Sequence, residues 1–117
     1  VKIPIKFLFA VSSLLSFAYF AGCKSHPFAI TVVNQTGAPV RLLEVDYPSA
    51  SFGADSVDAG QTVRSGIHLT GSGAVKVIYT APDKHQATIS GPTLRQDQEG
   101  GLEIVLLPGD KADFQVR

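Results

Sequence analysis

The chain has 117 residues, with ten Lys and Arg against ten Asp and Glu, one cysteine and no tryptophan. That length leaves room for one domain, and a single cysteine excludes an intrachain disulfide, so a hydrophobic core must hold the fold. The even charge contains no basic patch, hence no electrostatic footprint for a phosphate backbone, and nucleic acid is not an expected partner.

The first two dozen residues differ from the rest. Residues 1–6 carry Lys2 and Lys6 and no acid, whereas residues 7–21 hold no charge and are apolar apart from three serines. A basic start, a short apolar run and small residues at a cut site form the pattern of a secretory signal. A membrane-spanning helix is the competing reading. Fifteen residues at 1.5 Å each reach about 22 Å, short of a hydrocarbon core of roughly 30 Å, and a longer span would enclose Lys6 and Pro4. Residues 1–22 therefore read as a helical signal segment. Its removal takes Lys2 and Lys6 from the ten basic residues and leaves the mature chain slightly acidic.

The run ends at Phe20-Ala21-Gly22-Cys23. This stretch resembles the lipobox of bacterial lipoproteins, where leucine is commonest at the position that Phe20 occupies. The resemblance implies cleavage between Gly22 and Cys23, a diacylglyceryl group on the Cys23 sulfur, and retention on a membrane of the cell envelope. Chemistry agrees with it: small side chains admit an extended backbone to a protease, and a thiol is the good nucleophile for alkylation. A lone cysteine in an oxidising compartment is otherwise a liability. Lys24, where an aspartate in that family favours the inner membrane, points to the outer membrane in a cell that has one. Residues 23–27 then form the lipid anchor and a short tether.

From Phe28 to the end the chain reads as one domain of strands and turns. Residues 28–34 alternate Phe28, Ile30 and Val32 with Ala29, Thr31 and Val33, and Gly37 and Pro39 mark the turn that follows. Residues 40–47 place Leu43, Val45 and Tyr47 on one face and Glu44 and Asp46 on the other. Val40 and Leu42 fall out of phase, which predicts a bulge near Leu42–Leu43. Residues 48–56, PSASFGADS, read as a surface loop with one aromatic, Phe52. Further strands are expected around Val63–Leu69, at 74–80, 85–90, 102–108 and 112–117, with 91–101 irregular. Seven or eight short strands without helical periodicity predict an all-β antiparallel sandwich, immunoglobulin-like or transthyretin-like. A small barrel is the alternative. The stretches VxNxTGxPV, DYPxxSFG and GGLEIVL also resemble small lipoproteins of soil bacteria, acidobacteria among them; that resemblance implies a fold and an address and carries no activity.

Few residue patterns point to chemistry. A blue-copper centre needs a cysteine beside two histidines, and the one cysteine is the anchor. His26, His68 and His85 are far apart, the last two on expected strands, and read as surface groups; no metal or cofactor is expected. The acids fall mainly in turns without calcium-loop spacing. Gly71-Ser72-Gly73 lies between strands, whereas a hydrolase elbow needs a helix to follow. No catalytic residue is assigned, and the expected function is a membrane-anchored, non-enzymatic envelope lipoprotein with a structural or protein-interaction role. The alternative is a sugar- or peptide-binding module that uses the loop carrying Tyr47 and Phe52 and the loop around Gln98.

Overall fold

The computed structural model describes residues 27–117. The helical signal segment, the cleavage site at Gly22–Cys23 and the lipidation site at Cys23 lie outside the described residues. Eight strands follow in chain order: β1 (Phe28–Asn34), β2 (Val40–Tyr47), β3 (Ala50–Val57), β4 (Thr62–Ile67), β5 (Gly73–Thr80), β6 (Gln86–Leu94), β7 (Gly101–Leu107) and β8 (Lys111–Val116). They form two four-stranded sheets, ordered β4-β1-β7-β8 and β3-β2-β5-β6. The all-β sandwich expected from the two-residue periodicity is present. One pair departs from the antiparallel rule: β1 runs parallel to β7, with Ala29 opposite Gly101 and Asn34 opposite Leu106. Two sheets of four differ from the ABED and CFG sheets of an immunoglobulin constant domain.

The central strands supply most of the core. Phe28, Ile30 and Val32 on β1 and Leu102, Ile104 and Leu106 on β7 face Leu43 and Val45 on β2 and Val75, Val77 and Tyr79 on β5. All are buried, and each such aliphatic or aromatic side chain contributes about 1.5–3 kcal/mol through its removal from water. The edge strands contribute less, and β8 offers only the half-buried Ala112 and Phe114. Phe114 closes one corner of the sandwich by lying across Gly91 of β6, where an added Cβ would stand 2.6 Å from the ring. Segment 91–94 is strand and not the irregular segment expected from Pro92, because Thr93 and Leu94 pair with Ala74 and Gly73 of β5. Gly91 and Pro92 sit in β6 beyond a register shift between Ala74 and Lys76 of β5, on an edge where proline costs no ladder bond.

Every connection reverses the chain, so the two ends of the sandwich hold different segments. One end carries the start of β1, the end of β8 and the connections 48–49, 68–72 and 95–100. The other carries the connections 35–39, 58–61, 81–85 and 108–110. The sheets are tied together at this second end by Asn34, which is fully buried at the close of β1. Its Nδ2 donates to the carbonyls of Ala38 and Val57, both at 2.9 Å, and its Oδ1 accepts from the Thr36 amide at 3.1 Å.

Candidate functional site

Residues 48–56 correct the sequence reading. Only Pro48 and Ser49 form a turn, and Ala50–Val57 is an edge strand paired to β2 from Val40↔Val57 to Tyr47↔Ala50. A Pro-Ser turn followed by glycine, aspartate and further serines has the composition of a loop. The inward alternation of Phe52 and Ala54 is the strand signal that composition hid. Tyr47 and Phe52 are therefore cross-strand diagonal neighbours on the inner face of a hairpin. Their ring centroids are 6.4 Å apart and tilted by 44°, and both pack against the core. They are half-buried packing residues of this strand pair. Gln98 is at a separate place, in the 95–100 connection, where its Oε1 accepts the Arg95 amide at 2.9 Å. The structure does not bring it to Phe52.

The bulge expected near Leu42–Leu43 is present and reaches two strands. Between Arg41↔Thr80 and Glu44↔Ile78, β2 holds one residue more than β5. β3 keeps step with β2 across the same interval, so it carries the extra residue too, at Asp55. The bulge sets Leu42 at φ +52° and leaves it 65% exposed. Beyond it, Leu43 and Val45 point into the core, so Glu44 and Asp46 share the outer face with Gly53 and Ser51 opposite them. Leu42, Glu44, Ser51, Gly53 and Asp55 line an open hollow of about 340 Å³. The neighbouring Asp46 raises the Glu44 carboxyl above its ordinary value of 4.5, first through a side-chain hydrogen bond and then through like charge.

Two further hollows are small and open. One of about 250 Å³ lies over the outer face of the β4-β1-β7-β8 sheet beside Arg64, Glu103 and Arg117, the last two paired at 3.3 Å. Another, of about 180 Å³, lies between Val40, Tyr79, Pro82 and Pro108 at the Asn34 end. Burial and the nearby Asp110 raise the Tyr79 phenol above 10.0. His85 joins the two sheets there, with Nε2 at 2.5 Å from an Asp110 oxygen and Nδ1 at 4.0 Å from Asp83.

The two histidines expected on strands prove to lie just outside them, His68 after β4 and His85 before β6. They sit at opposite ends of the sandwich and share no site. Among the described residues, no three His, Cys, Asp or Glu side chains are grouped to hold a metal ion. Ser72, between its glycines, accepts the Gln96 amide at 3.0 Å and so fastens one connection to another. Asp83 accepts the His85 amide at 3.0 Å within its turn, where the acids are mainly expected, whereas Asp46 and Asp55 stand on strands.

The fold and these sites define a β-sandwich of two four-stranded sheets with shallow surface hollows. No family model and no curated protein matches the chain. A protein from Eubacterium rectale solved by NMR is similar in structure, with a TM-score of 0.61 and 10% identity over 79% of this chain and 89% of that one. At that identity the likeness concerns the fold alone.

Proposed function

We propose that this chain is a membrane-anchored envelope lipoprotein whose β-sandwich serves a structural or protein-interaction role without a reaction of its own. The observation that carries the reading is the position of Cys23. It closes the apolar run at Ala21-Gly22 and precedes the first core residue of β1, Phe28, by five positions. Residues 24–27 span at most about 14 Å when fully extended. A diacylated Cys23 would hold the sandwich against the bilayer by the end that carries Phe28 and turn the Asn34 end outward, and two acyl chains suffice for stable attachment. The surface hollows supply relief against which a partner can bind.

Cys23→Ser is the test. Cells expressing the full chain and fed a radiolabelled fatty acid should label the wild type and not the variant, which should accumulate as uncleaved precursor. Normal processing and membrane retention of the variant would refute the reading.

A further inference from the structure

We infer that the free edge of β3 is a docking strand for an extended segment of a partner protein that carries a basic side chain. The inference deepens the interaction role proposed above and rests on the domain, not on the anchor. Its first support is backbone chemistry. β3 is an outermost strand, and one side of its ladder faces away from β2. Among the described residues, no loop or side chain hydrogen-bonds the backbone of residues 50–56. An unpaired row of amides and carbonyls is a template for an added strand.

The other three edges carry devices that discourage such pairing. β6 contains Pro92, β8 starts at Lys111 and includes Asp113, and β4 has Arg64 at its centre. β3 has no proline and no basic residue. Its single charge, Asp55, is confined to the bulge, which leaves Ala50–Ala54 uncharged.

The second support is the surface that the added strand would reach. Gly53 stands between this edge and Glu44 and presents no side chain. A Cβ there would lie 2.5 Å from the Leu43 carbonyl oxygen, so close packing keeps this lane open. A lysine or arginine on an added strand, opposite Gly53 and on the outer face, can lay its methylenes along the exposed Leu42 and bring its charge to Glu44 and Asp46. The mutual repulsion of those carboxyls is relieved by a cation. A second copy of this chain fits the edge less well, because it would bring another Glu44, Asp46 and Asp55 to the same strip.

The probe is the capped heptapeptide Thr-Val-Thr-Lys-Thr-Val-Thr, with its Lys-to-Glu counterpart as control. Both are titrated into the isotope-labelled full chain in detergent micelles and followed by amide shifts. The lysine peptide should shift the Ala50–Ala54 and Leu42 amides and bind about fivefold more tightly than the glutamate peptide, the range expected of exposed charge pairs. The preference should vanish in the double variant Glu44→Gln, Asp46→Asn. Absence of binding, shifts centred on β4, β6 or β8, or equal affinity for the two peptides would overturn the inference. So would concentration-dependent β3 shifts without peptide, which would assign the edge to a second copy. Loss of peptide binding with fatty-acid labelling intact rejects the docking strand alone; the converse rejects the anchor alone.

Discussion

Asn34 shows how one polar side chain can hold two sheets in register. It is the buried polar residue among the described residues, and its amide answers carbonyls from the β1–β2 turn and from the last residue of β3. Its own oxygen is satisfied by Thr36, from the amide and from the hydroxyl at 2.7 Å. Asn34→Ala leaves the Val57 and Ala38 carbonyls without that donor and should cost about 1–3 kcal/mol, read as a lower urea midpoint with unchanged slope. Asn34→Asp should cost more, since a carboxylate cannot donate to either carbonyl. In the sequence, Asn34 precedes Gln-Thr-Gly and reads as the last residue of the first strand. Its burial was not legible there, because Val57 lies 23 positions further along.

At the level of elements, the bulge of β2 and β3 sets a side chain in solvent at the expense of backbone comfort. Leu42 occupies the left-handed region, which costs a non-glycine residue about 1–2 kcal/mol, and its exposure returns little burial. Leu42→Gly should therefore raise stability by about 0.5–1 kcal/mol in chemical denaturation. The same variant should weaken binding of the lysine peptide, because the methylene bed is lost. Unchanged affinity would remove Leu42 from the docking surface. The phase break from Leu42 to Leu43 was readable in the sequence, since strand periodicity is strict enough to betray one extra residue. β3 was not readable in the same way. Its outward positions hold Ser51 and Gly53, and only pairing with β2 separates such a strand from a loop. Proline at 92 misled in the opposite direction to the serines at 49 and 51: a breaker in composition is tolerated where the sheet ends.

At the level of the whole molecule, the core is drawn from both sheets of the sandwich. Buried side chains come from seven of the eight strands and form one cluster. A fragment of residues 25–117 should fold alone as a β-rich monomer with a single cooperative transition, by circular dichroism and sedimentation. A helical or unfolded spectrum would contradict that. The parallel pairing of β1 with β7 has a mechanical meaning as well. β1 lies inside its sheet, held over Phe28–Val33 by β4 on one side and over Ala29–Asn34 by β7 on the other. In the proposed display, tension between the lipid and a partner gripping β3 would draw β1 lengthwise from Phe28. Such a load shears both ladders at once and cannot unzip them bond by bond. The strand nearest the lipid would then be the best fastened against being pulled out.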